Sequence, residues 1–257
     1  MNMSRTFYFY LYSLTCITSL SAELTPQARE NGFVYLDEID PTIQVSLRYA
    51  TKENFLGTPV DGYSNAARVI ITKQAAKALK MVQDELRKQR YSLVIYDAYR
   101  PQRAVNHFIR WSTDATDQIK KDQYFPRVDK ERVFELGYVA KQSGHTRGST
   151  VDLSIIKVGD TLHNVVEYER TLSDGATVKF LDDGTVDMWT SFDLLDAASH
   201  ENSDLIPKKH LAMRNYLRTI MEKYGFTVSP REWWHFRLRS EPFPENNDSS
   251  YFDFEVA

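Results

Sequence analysis

Two short motifs that lie far apart along this chain of 257 residues constrain its fold more than any other feature. One is Ser143-Gly-His-Thr-Arg-Gly-Ser-Thr-Val-Asp152, and the other is Glu232-Trp-Trp-His235. A catalytic zinc ion needs three nitrogen or oxygen ligands, an open position for water and a nearby carboxylate that accepts the proton of that water. The motifs contain three candidate ligands and one candidate base: His145, Asp152 and His235, and Glu232. We therefore expect a fold that brings both motifs to one ion.

The spacing within the first motif excludes a helix. Two turns of helix would separate His145 from Asp152 by roughly 10 Å, which is too far for both to bind one ion. Gly144 and Gly148 instead indicate a loop, because glycine allows positive φ angles and close approach of the backbone. The apolar residues 151–156 predict a strand with Asp152 at its start.

The second motif needs an irregularity. Glu232 and His235 are an odd number of residues apart, so a regular strand would place them on opposite faces of a sheet. Pro230 marks the predicted bend. This interpretation places Glu232 in a turn and His235 in a strand at residues 234–238.

A single histidine is more often a surface residue or a hydrogen-bonded core residue than a metal ligand, and either one alone would be weak evidence. The combination of two histidines with an aspartate and a glutamate is stronger. The other four histidines have no such neighbours, and we interpret them as ordinary polar residues: His107, His163, His200 and His210.

The chain resembles the zinc D-alanyl-D-alanine dipeptidases of the VanX type. Three blocks carry the resemblance: Tyr96-Asp-Ala-Tyr-Arg-Pro-Gln-Arg103, the motif at 143–152, and Glu232-Trp-Trp-His-Phe236. Their order and wide separation match the family, and the resemblance extends from about residue 33 to about residue 240. It implies that His145, Asp152 and His235 bind one zinc ion and that Glu232 is the catalytic base.

The resemblance also implies roles for three further residues. Arg100 would hydrogen-bond the oxyanion that develops on the scissile carbonyl, because its guanidinium is planar and always charged. The alternative for Arg100 is a structural salt bridge to Asp97. Asp193 would face the free amino group of the substrate, and Ser143 would hydrogen-bond the substrate. A buried ammonium left unpaired is costly, so such a carboxylate favours dipeptides over longer chains.

The chain departs from the family pattern beside this amine site. Trp189 stands where the family usually has glycine, and the stretch between Asp152 and Asp193 is longer than usual. Trp233 and Trp234 are most simply packing residues that fix the ring of His235. Three tyrosines are candidates for the pocket wall, and the sequence does not choose among them: Tyr35, Tyr49 and Tyr63.

The N-terminal residues resemble a secretory signal. Arg5 is followed by an apolar and aromatic segment at residues 7–20 and by small residues that suit cleavage. The segment is too short to span a membrane as a helix, which needs about 20 apolar residues. We expect a signal peptide at 1–22, a dipeptidase domain at 23–257, and export to the periplasm. Cys16, the only cysteine, would leave with the signal.

Composition narrows the range of partners. The formal net charge is -3 and the charges of both signs are interspersed, so there is no basic stripe of the kind that binds nucleic acid. No later apolar run is long enough for stable membrane insertion. We expect a small peptide substrate as the partner, and the oligomeric state stays open.

Hydrophobic periodicity predicts one α+β domain, with a central, mainly antiparallel sheet flanked by helices and the zinc site at strand ends and loops. Helices are predicted at 73–89, from Pro101 through Trp111, and at 209–224, where Gly225 ends the last one. Strands are predicted at 91–96, 165–170, 177–181, 226–228 and 234–238.

Three functions compete at this stage. The first is hydrolysis of D-Ala-D-Ala in the cell envelope. The second keeps the same metal centre in a D,D-carboxypeptidase or endopeptidase that acts on longer peptidoglycan stem peptides. The third is a binding protein with structural zinc, which Glu232 argues against because a structural site needs no base.

Overall fold

A five-stranded sheet forms the centre of the computed structural model, which describes residues 23–257. The strands in chain order are β1 (Phe33–Tyr35), β2 (Gln44–Val45), β3 (Ile70–Thr72), β4 (Tyr91–Asp97), β5 (Thr150–Lys157), β6 (Val166–Thr171), β7 (Thr177–Asp182), β8 (Phe226–Ser229) and β9 (Glu232–Leu238). The helices are α1 (Pro26–Glu30), α2 (Leu36–Ile39), α3 (Lys73–Lys88), α4 (Gln102–Thr113), α5 (Lys121–Tyr124) and α6 (Lys208–Lys223).

The central sheet has the strand order β2-β4-β5-β9-β8 and is antiparallel except for the pair β2 and β4. Nearly every residue of β4 and β5 is buried. Both faces of these two strands are therefore covered by other elements, and the buried residues include polar ones, Asp97 on β4 and Asp152 on β5. The predicted α+β class and the mainly antiparallel central sheet are confirmed.

Two helices lead the chain to and from β4. The Thr72 hydroxyl caps α3 by accepting a hydrogen bond from the Ala75 amide, and Leu79, Val82 and Leu86 of this helix are buried. The strand β4 then ends at Asp97. Pro101 precedes the first residue of α4 and is its N-cap, so this helix begins one residue later than predicted. Arg100 lies in the short connection between β4 and α4.

The predicted hairpin between the two motifs is present as β6 and β7, within one residue of the expected bounds. It packs against the segment that carries Asp193: a small apolar cluster contains Leu172 and Val178 from the hairpin region together with Leu194 and Ala198. The lengthened stretch between Asp152 and Asp193 therefore covers the polypeptide on which Asp193 lies.

The C-terminal segment, residues 251–257, packs back onto the molecule, which the sequence patterns did not predict. Phe252, Phe254 and Val256 are buried. The Phe252 amide donates to the carbonyl of Thr146 at 3.2 Å, and the Gln102 amide donates to the carbonyl of Phe252 at 3.0 Å. The segment thus joins the first motif to the start of α4.

The predicted signal peptide at 1–22 lies outside the described residues. Within 23–257, none of the helices combines the length and apolar character needed to cross a bilayer.

Candidate metal centre and active site

Neighbouring strands bring the two motifs together. Asp152 on β5 lies directly opposite His235 on β9 in the antiparallel register. His145 lies in the short 3-10 turn Gly144–Arg147, just before β5. The three candidate ligands, separated along the chain, are therefore held by the pairing of two central strands and the turn that precedes one of them.

The distances among the three side chains suit one small cation. His145 Nε2 lies 3.2 Å from Asp152 Oδ2, His235 Nδ1 lies 3.0 Å from Asp152 Oδ1, and the two histidine nitrogens are 3.3 Å apart. Tetrahedral zinc with ligand bonds of roughly 2.0–2.1 Å places neighbouring ligand atoms about 3.3 Å apart. The arrangement therefore fits zinc without large rearrangement.

Two further observations support a fit to a cation. Asp152 Oδ1 is buried and accepts no hydrogen bond of good geometry among the described residues, although His235 Nδ1 lies 3.0 Å away and buried carboxylate oxygens normally accept one. His145 Nδ1 donates to the backbone carbonyl of Ala98 at 2.7 Å. This bond orients the ring and leaves Nε2, the atom that faces Asp152, with a free lone pair, as expected for a metal-binding histidine.

The first motif folds as a tight turn rather than an irregular loop. Ser143 caps the turn with its hydroxyl, which accepts from the His145 amide at 3.2 Å. Gly148 ends it with a φ of 78°. A Cβ atom at Gly148 would lie 2.0 Å from Cε1 of Phe33, so only glycine fits there. The glycine requirement was predicted correctly, and Asp152 follows as the third residue of β5.

Glu232 is the first residue of β9, so its predicted placement in a turn is wrong. The irregularity lies instead in the pairing with β8: Val228 faces Phe236, whereas the next residue, Ser229, faces Glu232. This shift of register leaves β9 bulged, which removes the strict alternation of faces. As a result, Glu232 Oε2 comes within 3.6 Å of His235 Nδ1. Burial, reinforced by Asp152 and Asp193, raises the pKa of Glu232 well above its usual range.

Arg100 is both a salt-bridge partner and a wall of the site. Its Nε donates to Asp97 at 2.8 Å, and one terminal nitrogen lies 3.2 Å from Asp152 Oδ2. Asp97 also accepts from the Tyr63 hydroxyl at 2.6 Å. The two interpretations of Arg100 do not exclude each other, because the ion pairs hold a guanidinium that also lines the pocket.

Asp193 lies in the same pocket in a left-handed backbone conformation, with a φ of 62°. The Tyr49 hydroxyl donates to its carboxylate at 2.9 Å. Burial, followed by the charge of Asp152, raises the pKa of Asp193 well above its usual range. Of the three candidate tyrosines, Tyr49 therefore lines the pocket, whereas Tyr63 supports Asp97 and Tyr35 donates to the carbonyl of Ala257 at 3.2 Å.

The pocket around these groups has a volume of about 140 Å³. Cavities of about 150 Å³ hold a molecule the size of benzene, so this volume suits a small ligand. Ser143 and Trp234 of the two motifs line the pocket, as do several residues that sequence patterns did not indicate: Phe55, Phe108, Leu195 and the segment from Gly137 to Ala140. Nothing local in the sequence marks these residues, because they meet only after folding.

Trp189, where the resemblance leads us to expect glycine, does not line this pocket. Trp189 has a φ of 73°, a conformation in which glycine is usual and a bulky residue is strained. Its ring lies over the guanidinium of Arg170, 4.7 Å from the ring centre, and its carbonyl accepts from Arg170 at 2.9 Å. The hairpin thus fixes this residue in the conformation that glycine would adopt freely.

Comparison with known proteins identifies the family of this chain. The peptidase M15 family model, described as D-ala-D-ala dipeptidase, matches residues 29–167 and 162–257. The D-alanyl-D-alanine dipeptidase of Enterococcus faecalis is 38% identical over 89% of this chain and 100% of its own length. That of Enterococcus faecium is 37% identical over 88% of this chain and 99% of its own length.

Two further proteins match with lower sequence identity and over a smaller share of the chain. The D-alanyl-D-alanine dipeptidase of Escherichia coli is 28% identical over 80% of this chain and 83% of its own length. A solved structure of the vancomycin-resistance D,D-pentapeptidase VanY in complex with Zn(II) is 14% identical, covers 72% of this chain and 80% of its own, and has a TM-score of 0.34. Because the family model and the enterococcal relatives match over most of the chain, this protein belongs to the D-alanyl-D-alanine dipeptidase family of peptidases.

Proposed function

We propose that this protein hydrolyses D-Ala-D-Ala with one zinc ion per chain, bound by His145, Asp152 and His235. The observation that carries the proposal is the convergence of the three side chains, whose nitrogen and carboxylate oxygen atoms lie 3.0–3.3 Å apart, beside a buried glutamate and inside a pocket of small volume. Bound zinc would polarise the peptide carbonyl and acidify the attacking water.

Glu232 is the proposed base. A carboxylate whose pKa is raised toward neutral pH both accepts and returns a proton efficiently. Burial and the neighbouring carboxylates Asp152 and Asp193 raise the pKa of Glu232, and a bound dication would oppose that rise. Glu232 would take the proton of the attacking water and deliver it to the amine that leaves.

Arg100 is the proposed electrophilic partner. Its guanidinium is held by Asp97 and Asp152, and the pre-set orientation means that little reorganisation is needed when negative charge develops on the scissile carbonyl oxygen. Loss of one such donor typically costs about 100- to 1,000-fold in kcat.

Asp193 is the proposed partner of the substrate ammonium, with Tyr49 holding its carboxylate and Ser143 available for a further hydrogen bond. A buried carboxylate at this place matches a free amino terminus by charge. Together with the small pocket, it favours a dipeptide over a longer stem peptide, because a longer chain would place an uncharged amide against Asp193.

The test of the proposal is Glu232→Gln, which keeps the shape of the side chain but cannot accept the proton. We expect zinc content near one per chain and a loss of kcat of about 100- to 10,000-fold, the usual contribution of a general base. Zinc would be measured by elemental analysis and turnover by release of D-alanine. Near-normal turnover by this variant would remove Glu232 from the mechanism.

The substrate class is tested separately with the wild-type protein. D-Ala-D-Ala, L-Ala-L-Ala and a stem pentapeptide would be compared with and without chelator. We expect rapid, chelator-sensitive hydrolysis of the first alone. Comparable rates on the pentapeptide would favour a D,D-carboxypeptidase, and zinc binding without turnover on any peptide would favour a binding protein.

We also propose that the protein is exported to the periplasm, where peptidoglycan fragments are present. The support is the composition of residues 1–22, with Arg5 before an apolar segment and small residues at its end. N-terminal sequencing of the protein from a periplasmic fraction should find a start near residue 22 or 23. A full-length protein that stays in the cytoplasm would exclude export.

A further inference from the structure

A buried guanidinium outside the active site has no carboxylate partner. Arg214 of α6 is almost fully buried and forms no ion pair with any side chain of residues 23–257. Its nitrogens instead donate to the carbonyl of Met188 at 2.9 and 3.1 Å, to the Thr190 hydroxyl at 2.8 Å, and to the carbonyls of Ala198 and His200, both at 2.9 Å. All these acceptors are neutral.

This arrangement is costly for the fold. A charge removed from water without an opposite charge is strongly disfavoured unless its hydrogen bonds are satisfied. Burial lowers the pKa of Arg214 to about 9, which still leaves it charged at neutral pH. By comparison, Arg218, one turn later on the same helix, pairs with Glu201 at the surface. The placement of Arg214 therefore calls for an explanation other than simple charge pairing.

The acceptors of Arg214 lie at both ends of one segment, residues 188–200, and Asp193 lies between them. This segment contains two non-glycine residues in the left-handed conformation, Trp189 with a φ of 73° and Asp193 with a φ of 62°. Such conformations persist only where surrounding contacts hold them. Arg214 donates hydrogen bonds to the residues on either side of Trp189. It also donates to the carbonyls of Ala198 and His200 at the C-terminal end of the segment.

The same contacts attach the segment to the second motif. The Thr190 hydroxyl accepts from Arg214 and also from the indole nitrogen of Trp233, at 3.0 Å. Trp233 follows Glu232 directly on β9, and its ring lies 5.7 Å from the guanidinium of Arg214. The position of Asp193 is thus set relative to the strand that carries Glu232 and His235.

We infer that Arg214 is a positioning residue for substrate recognition: through Met188, Thr190, Ala198 and His200 it holds the segment that presents Asp193 to the substrate ammonium. The inference rests on the proposed role of Asp193 as the amine partner. Arg214 itself does not line the pocket, and its hydrogen bonds go to none of the three candidate metal ligands. Its loss should therefore impair recognition of the amine more than the chemical step.

The experiment compares Arg214→Met, which keeps the length of the side chain but removes the donors, with Thr190→Val, which removes only the shared acceptor. Two substrates are compared: D-Ala-D-Ala, which has a free amine, and N-acetyl-D-Ala-D-Ala, in which the amine is blocked. For Arg214→Met we expect KM for D-Ala-D-Ala to rise about tenfold or more, with kcat changed about threefold at most, since uniform binding is lost. The preference for the free amine should fall by about the same factor.

Thr190→Val should act in the same direction, by about three- to tenfold, because it removes the acceptor that Arg214, Trp233 and Ser199 share while the other hydrogen bonds of Arg214 remain. Zinc content should stay unchanged in both variants. Arg218→Met is the matched control on the same helix and should leave KM, kcat and the preference for the free amine unchanged. If Arg214→Met does not fold, Thr190→Val alone decides the test.

The outcomes separate this inference from the proposed function. Asp193→Asn should abolish the preference for the free amine, and its failure to do so would exclude the amine role of Asp193 itself. If Asp193→Asn abolishes the preference while Thr190→Val and Arg214→Met retain it, the positioning role is wrong. Equal losses of kcat and of zinc in the two positioning variants would also overturn it, because they would indicate general damage to the fold.

Discussion

At the scale of single residues, the pocket contains more buried carboxylate side chains than positively charged side chains. Asp152, Asp193 and Glu232 share one pocket, and Arg100 is the permanent positive charge that lines it. Burial raises the pKa of both Asp193 and Glu232, so the fold disfavours the ionised form of each. Sites arranged for catalysis commonly cost stability in this way.

Asp193→Asn is therefore expected to stabilise the metal-free protein while it removes recognition of the amine. Burial, followed by Asp152, raises the folded pKa of Asp193 above its unfolded value of about 3.9. A carboxyl group of this kind destabilises the fold increasingly as pH rises from the unfolded to the folded pKa. The gain in unfolding free energy should be small at about pH 4 and larger at about pH 7, by urea denaturation with chelator present.

Asp187→Asn is the control, because its expected effect on the unfolding free energy is opposite to that of Asp193→Asn. Although burial opposes it, the hydrogen bonds from Arg170 lower the pKa of Asp187. A lowered folded pKa means that the carboxylate stabilises the fold above its unfolded pKa, so this substitution should reduce stability at neutral pH. Equal behaviour of the two variants would contradict the electrostatic account of Asp193.

At the scale of elements, the turn before β5 and the bulge in β9 place the functional groups. The turn depends on Gly148, and the bulge brings Glu232 to the side of His235. Residues 251–257 support the turn from outside, through the hydrogen bond between Phe252 and Thr146. The candidate ligands are thus held by two central strands of the sheet and by the short irregular elements next to them, where small backbone changes should matter most.

Gly148→Ala tests the turn. The left-handed conformation costs an alanine about 1–2 kcal/mol, and overpacking against a buried ring typically adds about 1–3 kcal/mol. We therefore expect a loss of about 2–5 kcal/mol in unfolding free energy and weaker binding of zinc, since the added Cβ would lie 2.0 Å from Phe33. Urea denaturation and zinc titration would measure the two effects.

Gly175→Ala provides the matched control. Gly175 also has a positive φ, 86°, but no atom lies within 4 Å of a Cβ built there. The Gly175→Ala variant should lose only the conformational contribution to its unfolding free energy, about 1–2 kcal/mol, and retain normal zinc affinity. Equal losses at the two glycines would show that the contact with Phe33 does not matter.

At the scale of the whole molecule, the metal centre joins segments that are distant in sequence. His145 precedes β5, Asp152 lies on β5 and His235 lies on β9, so the three ligand atoms meet only in the folded chain. A ligand that binds the folded state alone stabilises it by mass action. Zinc binding and folding should therefore be coupled in this protein.

Zinc should raise the melting temperature of the metal-free protein. A free concentration 100 times the dissociation constant contributes about 2.7 kcal/mol. For a protein of this size that corresponds to a rise of roughly 5–10 °C, measured by calorimetry. Asp152→Ala should abolish the shift because it removes one ligand. An unchanged melting temperature on addition of zinc to the wild type would argue against a site formed on folding.

Local sequence patterns determined the regular elements and the candidate residues. Helices α3, α4 and α6 and the strands β4, β6, β7 and β8 lie within one or two residues of the predicted bounds, because periodic burial and capping act over a few neighbouring residues. The requirement for glycine at position 148 could be predicted because it also depends on a few neighbouring residues. The candidate ligands and base could be named because their residue types and motifs restrict the chemistry they suit.

Only the tertiary structure decided how these pieces meet. The placement of Glu232 on β9 depends on the register with β8, which no local pattern records. Tyr49, rather than Tyr35 or Tyr63, donates a hydrogen bond to Asp193. The two residues are 144 positions apart in the sequence, so only the folded chain brings them together. The hold of Arg214 on the Asp193 segment likewise depends on contacts between distant segments. Such contacts follow from the packing of the whole chain, since their free energy depends on partners that the local sequence does not specify.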